Sequence, residues 1–95
     1  MKIHRVKCDI RWFAEFTAGS KQFEIRGNDR DYKVGDLLEL NETRDAEYTG
    51  RAALYKITSV LPDTDFPDCI KSGFAVIGIQ PVTGVYDDYG KGALT

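Results

Sequence analysis

The sequence predicts an α+β domain: a small, partly closed β-barrel with one main helix and a short second helical turn. Runs with strand-like alternation outnumber helical ones and follow the order β-α-β-β-β-(short α)-β, without the repeated β-α alternation of a parallel doubly wound sheet. With 95 residues, 42% of them apolar, the chain can build one modest core. Five short strands in so small a domain favour a barrel, because closure removes unpaired strand edges.

The first third of the chain predicts a strand followed by a helix. Residues 2–8 alternate between the two faces of a strand. Asp9 has the position of a helix N-cap, since its carboxylate can accept hydrogen bonds from backbone N–H groups two and three residues on. Gly19 can end the helix in the left-handed conformation that other residues avoid. The aromatic residues at helical spacing that we expect in the core are Trp12, Phe13 and Phe16.

The rest of the chain predicts four more strands, a loop and a tail. The strands are expected over residues 22–26, 37–40, 51–61 and 74–82. Residues 41–49 are charged and have no period, which predicts an exposed loop. Asp65 can cap a single helical turn over residues 66–72. We expect residues 1–83 to form one domain and the Gly- and Asp-rich residues 84–95 to form a flexible tail.

The charge of the chain is unevenly distributed. Residues 1–33 hold eight basic and five acidic side chains, whereas residues 34–95 hold five basic and ten acidic ones. The formal net charge is −2 and the isoelectric point is about 5.3, which argues against a protein that coats long nucleic acids through charge alone. A small basic pocket on an acidic body is compatible with this distribution.

The composition disfavours several classes of site. The chain has one histidine, His4, and two cysteines, Cys8 and Cys69, which stand far apart and suit a reducing cytosol. The acidic residues of the 62–68 loop lack the glycine and the glutamate of a calcium-binding loop. No apolar run is long enough to span a membrane, and the N-terminal segment is unlike a secretory signal. We therefore expect a cytoplasmic monomer without a metal or other cofactor.

The charged side chains best suited to bind a ligand are closest together in residues 19–26. Lys21 sits at the helix-to-strand turn, and Glu24 and Arg26 point to one side of the following strand, so an ammonium, a carboxylate and a guanidinium can converge. The guanidinium fork can engage a phosphate or a carbonyl bidentately, and the carboxylate can accept from a base amino group. The alternative is a charge ladder on a solvated strand face.

Three other segments carry candidate binding residues, each with a structural alternative. Tyr48 and Arg51 flank a glycine and could stack on a nucleobase and hold a phosphate, or they could form a hairpin entry. Arg30 lies in a polar turn that could cover the same site or could serve only as a turn. His4 and Lys7 could supply a titratable or phosphate-binding group, although a lone histidine is often structural.

These residues together resemble an ASCH domain, a branch of the PUA-like barrel superfamily. The family signature, Gly-x-Lys-x-x-Glu-x-Arg after a short helix, corresponds here to Gly19, Lys21, Glu24 and Arg26. The match extends in order over about residues 3–79 and is similar to a short, functionally uncharacterised bacterial and phage branch of the group. The resemblance implies a PUA-like barrel that binds RNA in a pocket between the helix-strand turn and the barrel face.

The residues and the resemblance together favour an RNA- or nucleotide-binding module. Arg26 and Lys21 would hold a phosphate or a base carbonyl, and Glu24 would accept from a base amino group. Further candidates for the same pocket are His4, Lys7, Arg30, Tyr48 and Arg51.

Two alternatives stay open. The resemblance also extends to small ASCH amidohydrolases that act on acylated cytidine with a lysine, a threonine nucleophile and a glutamate. Here Glu24 stands in the place of that threonine, and a carboxylate cannot replace the hydroxyl, although Thr49 or Thr58 could serve. We therefore favour binding over catalysis. The other alternative is a phage interaction module that binds a host protein through its acidic half.

Overall fold

A computed structural model of the chain describes residues 1–87. Within that range the chain forms one helix and six strands: β1 (Ile3–Asp9), α1 (Ile10–Thr17), β2 (Phe23–Gly27), β3 (Leu37–Arg44), β4 (Glu47–Pro62), β5 (Phe74–Pro81) and β6 (Tyr86–Asp87). The strands form one sheet in the order β1-β3-β4-β5-β2, and β6 pairs with β4. The predicted α+β class, rich in strand and with one main helix, is confirmed.

The sheet curls into a half-barrel whose two outer strands are β1 and β2. β1 runs parallel to β3, and the other pairings are antiparallel. β4 has 16 residues, so it pairs with β3 along its first part and with β5 along its second. Register shifts after Asn41 and after Ile57 mark irregularities at which these strands bend. The open side of the half-barrel is a seam between β1 and β2.

The interior of the half-barrel is filled by side chains from the helix, four strands and the loop between β2 and β3. On β1 every second residue faces inward, as the alternation predicts, so that His4, Val6 and Cys8 are buried. α1 contributes Phe13 and Phe16, which are fully buried. The other members of this core are Tyr32, Leu38, Leu40, Ala53, Tyr55, Ile57, Ile77 and Ile79. The helix therefore packs its two phenylalanines onto the same core that the strands enclose.

Both ends of α1 are where the sequence predicts them. The Asp9 carboxylate accepts a hydrogen bond from the backbone N–H group two residues on, at 2.9 Å. At the other end Gly19 has a φ of 81°, and its N–H donates to the carbonyl of Phe16 at 3.0 Å. The N–H of Ser20 donates to the carbonyl of Glu15, also at 3.0 Å. These two bonds form a Schellman motif, which turns the chain back across the helix end.

Trp12 departs from the prediction of a buried residue. Its side chain is 44% exposed, whereas Phe13 and Phe16 are buried. Positions 13 and 16 share one face of the helix, and only that face meets the sheet. An α1 of eight residues covers the core with these two rings, so the indole lies on the solvent side.

The predicted exposed loop over residues 41–49 is wrong. β3 continues to Arg44 and β4 begins at Glu47, so the segment is a β-hairpin with a two-residue turn. The turn residues Asp45 and Ala46 have φ values of 51° and 68°, the left-handed pair typical of a type I′ turn. The sequence does not indicate this hairpin, because neither turn residue is the glycine or asparagine that is usual in such a turn.

Two further predictions concern the second half of the chain. The helical turn expected over residues 66–72 is reduced to turns, in which Phe66 accepts from the N–H groups of Cys69 and Ile70 but no helix follows. Of the tail predicted over residues 84–95, Tyr86 and Asp87 pair with β4, and the Tyr86 hydroxyl donates to the carboxylate of Glu39. Residues 88–95 of that tail lie outside the described residues.

Candidate functional site

β2 presents its charged residues to the inside of the half-barrel and its apolar residues to the outside. Glu24 is buried and Arg26 is partly buried, whereas Phe23 and Ile25 are 47% and 55% exposed. The alternative of an exposed charge ladder is therefore wrong for Glu24. The strand departs from the usual rule that the apolar face of a half-buried strand is the covered one.

Arg26 connects the two edges of the seam. Its Nη1 donates to Oε2 of Glu24 at 3.2 Å, on its own strand. The same nitrogen donates across the seam to the backbone carbonyl of Lys7 on β1, at 3.3 Å. The other oxygen of Glu24, Oε1, accepts from the backbone N–H of Ile25 at 3.0 Å. The guanidinium is thus held by a buried carboxylate and spans from β2 to β1.

Lys21 lies among three aromatic rings. Its Nζ is 4.7 Å from the ring centre of Trp12, 4.9 Å from that of Phe16 and 5.6 Å from that of Phe23. The Schellman motif brings the residue there, because its backbone N–H returns to the carbonyl of Glu15 at 3.2 Å. Cation–π attraction of this kind orients the ammonium at the exit of α1. The exposed indole of Trp12 is part of this arrangement.

The thiol of Cys8 lies beside these charged groups. Burial and, to a smaller extent, the Glu24 carboxylate raise its pKa to about 12, while the charges of Arg26 and Lys21 act in the opposite sense. Of the three groups that the sequence placed together, Glu24 and Arg26 are joined by a hydrogen bond, whereas Lys21 lies among aromatic rings. With so high a pKa the thiol stays protonated near neutral pH, so Cys8 is not a nucleophile.

The β3–β4 hairpin adds a second carboxylate–guanidinium pair. Glu42 is 3% exposed, and its Oε1 accepts from the Thr49 hydroxyl at 2.6 Å. Its Oε2 lies 3.6 Å from Nη1 of Arg51, whose guanidinium carbon is 5.7 Å from the ring centre of Phe13. Sequence reasoning missed Glu42 because it fell in the predicted loop. Leu38 and Leu40 precede it at a spacing of two, and that continued alternation was the available signal.

Lys7 and Tyr48 form the contact between β1 and the hairpin. The Nζ of Lys7 lies 5.4 Å from the ring centre of Tyr48, which is 36% exposed. The backbone carbonyl of the same lysine accepts from Arg26. Lys7 therefore touches both the hairpin and β2, one with its side chain and the other with its main chain.

His4 lies in a structural cluster on the inward face of β1. Its Nε2 is 2.9 Å from Oδ2 of Asp36, and its ring centre is 4.7 Å from that of Tyr32. The structural alternative for this histidine thus fits its surroundings. Burial raises the pKa of Tyr32, and the positive charges of Arg26 and Arg30 oppose that rise. The side chain of Arg30 is exposed, and its positive charge acts on the Tyr32 hydroxyl.

Stability is expected to fall in acid because of Asp36. The hydrogen bond from His4, aided by those from the backbone N–H groups of Lys2 and Lys33, lowers the pKa of this carboxyl from 3.8 to about 2. Since the folded-state pKa is the lower one, the stabilisation is complete above about pH 4 and disappears as the pH falls through about 2. The urea midpoint of unfolding should therefore decrease from about pH 5 to about pH 2.

The variant Asp36→Asn is the control for this pH dependence. It removes the carboxylate, so it should unfold at lower urea than the original chain at neutral pH and lose less of its stability between about pH 5 and about pH 2. Asp9, whose pKa is lowered mainly by the backbone hydrogen bond from Arg11, titrates in both proteins and cancels in the comparison. Identical pH slopes in the two proteins would contradict the role of Asp36.

The groups described above lie on the elements that border the open side of the half-barrel, and we call this set the seam site. Glu24 and Arg26 lie on its inner face, whereas the side chain of Lys7 lies on the outer face of β1, against Tyr48. Its members are Lys7, Trp12, Lys21, Glu24, Arg26, Glu42, Tyr48 and Arg51. Four of them are cationic and two are carboxylates, so the cluster is positive on a chain whose formal net charge is −2. Such a cluster favours an anionic ligand that also offers flat apolar faces to the exposed rings.

Elsewhere in the described chain, Arg5 lies 3.4 Å from the buried carboxylate of Glu39, which also accepts from the Tyr86 hydroxyl, and two cavities are present. A cavity of about 350 Å³ between the end of α1 and residues 81–85 is lined by apolar and hydroxyl side chains, with Phe16 in its wall. Another, of about 320 Å³, is mostly apolar and lies beside Ile25 and Phe74. Among residues 1–87 the His, Cys, Asp and Glu side chains form no group of three that could hold a metal ion. No helix in the same range is long and apolar enough to cross a membrane.

Comparisons with known proteins give a family and a similar protein, and neither comes with an activity. Residues 3–79 match the model of a family described as a domain of unknown function, DUF3850. A similar protein is the "Uncharacterized 12.9 kDa protein in GpA 3'region" of Escherichia phage P2, which is 39% identical over 70 residues. The alignment covers 74% of this chain and 62% of the phage protein, so the chain spans less than two thirds of that relative's length. The whole seam site lies within the matched residues.

Proposed function

The chain belongs to the DUF3850 family, and from that starting point we propose that it is an RNA- or nucleotide-binding module whose ligand lies in the seam site. We also propose that its half-barrel is a PUA-like barrel of the ASCH branch. The position of Gly19, Lys21, Glu24 and Arg26 at the exit of a single helix beside an open barrel supports that assignment. Both proposals go beyond the family match, which carries no function.

The inward charged face of β2 is the observation that carries the binding proposal. Burying Glu24 and part of Arg26 while Phe23 and Ile25 face water works against the hydrophobic effect. Departures of this kind from the folding rules concentrate at functional sites. The result is a guanidinium that is fixed by a buried carboxylate and lies at an open seam.

The chemistry of a nucleotide fits the groups present. The planar guanidinium of Arg26 matches a phosphate or the carbonyl of a base, and Lys21 supplies a second positive charge. Glu24 already accepts two hydrogen bonds, but a carboxylate has about four acceptor positions and can accept from a base amino group as well. Trp12 and Tyr48 offer partly exposed rings on which bases can stack.

An NMR titration of the ¹⁵N-labelled chain tests the proposal. Short single-stranded RNA should shift the resonances of Lys7, Lys21, Glu24, Arg26 and Arg51 together, and added salt should weaken the effect. The expected dependence is a slope of about −0.7 in log K against log salt for each phosphate neutralised. Shifts spread over the surface without this cluster, or no shifts at all, would overturn the proposal and favour a protein partner.

One observation favours a second candidate, an amidohydrolase for acylated cytidine. The Thr49 hydroxyl is 2.6 Å from the buried carboxylate of Glu42, the arrangement of a nucleophile beside a base. In that reaction Thr49 Oγ would attack the acyl carbon as Glu42 takes the hydroxyl proton and passes it to the departing amine. Water would then release the acid from the threonine ester.

Turnover of N4-acetylcytidine separates the two candidates. Release of free cytidine by the original chain and its loss in Thr49→Val would establish the enzyme. Shifts in the seam site with RNA and no cytidine release would leave the binding module alone. Release that persists unchanged in Thr49→Val would exclude Thr49 as the nucleophile.

A further inference from the structure

We infer that the cavity at the end of α1 binds a small uncharged amide, a ligand separate from the one proposed for the seam site. The volume of this cavity, about 350 Å³, is at the small end of the range for ligand pockets in proteins, about 300–1,000 Å³. Residues 16–19 at the helix end and residues 81–85 after β5 form its walls, and Tyr55 of β4 also lines it.

The hydroxyl of Tyr55 is the observation that points to a ligand. Tyr55 is 3% exposed, and its hydroxyl makes no hydrogen bond with any other residue of the described range. A buried tyrosine hydroxyl usually has a partner, because an unpaired polar group is costly to remove from water. Burial raises the pKa of Tyr55, so the hydroxyl stays protonated near neutral pH and can donate. A ligand in the cavity that offers an acceptor supplies the missing partner.

The end of α1 supplies acceptors on the cavity wall. The backbone carbonyl groups of Thr17 and Ala18 accept no hydrogen bond from residues 1–87. The carbonyl end of a helix carries a partial negative charge, which favours hydrogen-bond donors and disfavours anions. The cavity therefore offers a donor at Tyr55 and acceptors at the helix end.

The rest of the wall is uncharged and held in place. Within the described range, none of the side chains that line the cavity carries a charge, so an ion placed there would lose its hydration without gaining a counter-ion. The N–H groups of Val82 and Thr83 donate to the carbonyl of Leu54 at 2.9 and 3.2 Å. The Thr83 hydroxyl accepts from the N–H of Leu54 at 3.1 Å. These three bonds attach the segment after β5 to β4, so the second wall is formed before a ligand binds.

An amide has the two groups that this cavity can pair. Its carbonyl can accept from the Tyr55 hydroxyl, and its N–H can donate to a carbonyl at the end of α1. An amide is uncharged near neutral pH, and an apolar ring attached to it can pack against Phe16 in the wall. A carboxylic acid of the same shape is an anion at that pH and has no donor, so the cavity should reject it.

An NMR titration of the ¹⁵N-labelled chain with benzamide and with benzoate tests this inference. The two molecules have nearly the same shape and differ in charge and in the N–H donor. Benzamide should shift the backbone amide resonances of residues 16–19 and 82–85. Benzoate should bind at least about tenfold more weakly at the same residues, because it loses a hydrogen bond and meets the negative end of the helix.

The variant Tyr55→Phe removes the hydroxyl and keeps the ring. It should reduce benzamide affinity about three- to tenfold and should leave the urea midpoint of unfolding unchanged or raised, because the hydroxyl has no protein partner to lose. Ser72→Ala is the matched control, since it removes an exposed hydroxyl from the 62–73 segment and should change neither quantity. A hydroxyl with a purely structural role would show the opposite pattern, a lower urea midpoint and an unchanged affinity.

The outcomes test the amide site independently of the proposed function. Benzamide shifts at the two walls that weaken in Tyr55→Phe would support the site. Equal affinities for benzamide and benzoate, or an unchanged benzamide affinity in a folded Tyr55→Phe variant, would overturn it. Absence of shifts at the two walls, up to the solubility limit of benzamide, would also overturn it and would leave the RNA titration of the seam site unaffected.

Discussion

Replacing Arg26 with alanine is expected to weaken binding of short single-stranded RNA by about 1–3 kcal/mol, roughly 5- to 150-fold. The guanidinium is held by Glu24 at 3.2 Å and by the carbonyl of Lys7 at 3.3 Å, so it is already oriented toward the seam. Its loss removes a bidentate donor and leaves the carboxylate of Glu24 without its cation. The measurement is calorimetry with a uridine oligonucleotide at fixed salt.

Arg44→Ala and Arg26→Lys are the controls for this effect. Arg44 is exposed at the end of β3, so its removal changes the net charge equally but should leave affinity nearly unchanged. Arg26→Lys keeps the charge and loses the fork, and it should lie between the original chain and Arg26→Ala. An unchanged affinity in a folded Arg26→Ala variant would remove Arg26 from the site.

Replacing Phe16 with alanine is expected to lower the free energy of unfolding by about 3–5 kcal/mol. The ring is 1% exposed, lies 6.1 Å from the ring centre of Tyr55 and forms part of the surroundings of Lys21. Its truncation leaves a cavity where α1 packs on the sheet, and the helix then keeps one fully buried ring, Phe13. Urea denaturation followed by circular dichroism measures the change.

Phe66→Ala is the matched substitution, because Phe66 is 52% exposed and its truncation should change stability by no more than about 0.5 kcal/mol. Phe16→Leu keeps most of the volume and should fall between the two. A loss below about 1 kcal/mol for Phe16→Ala would contradict the packing of α1 described here.

Local signals in the sequence were sufficient for α1 and for the inward face of β1. A carboxylate just before a helix and a glycine just after it stabilise the helix ends through local backbone geometry, which does not depend on the rest of the fold. Both Asp9 and Gly19 act as predicted. The alternation of β1 works for the same reason, since a strand with one covered face must repeat every two residues.

The features that escaped prediction depend on contacts that are distant in sequence. The parallel pairing of β1 with β3 joins residues more than thirty positions apart, and nothing local indicates it. The burial of Glu42 follows from β3 continuing past Leu40 into a hairpin whose turn lacks the usual residues. Trp12 is exposed because the short helix covers the core with only two rings.

The grouping of Lys21, Glu24 and Arg26 as a binding site stays a prediction. The structure pairs Glu24 with Arg26 and places Lys21 among aromatic rings. Glu42 was missed although it continues the alternation of Leu38 and Leu40. The contact of Lys7 with Tyr48 could not be inferred, because it requires the hairpin to lie beside β1. His4 was placed among the candidates, and its partner Asp36 could not be identified from spacing.

The seam between β1 and β2 differs from the rest of the half-barrel because these two strands are the outer strands of the sheet and contact each other through a side chain. Between neighbours along the sheet, separation would break a ladder of backbone hydrogen bonds. Widening the seam instead stretches side-chain contacts, such as that of Arg26 with the carbonyl of Lys7, and leaves each strand paired on its other edge. A change in the separation of these two strands therefore costs fewer backbone hydrogen bonds than a change between any two neighbouring strands of the sheet.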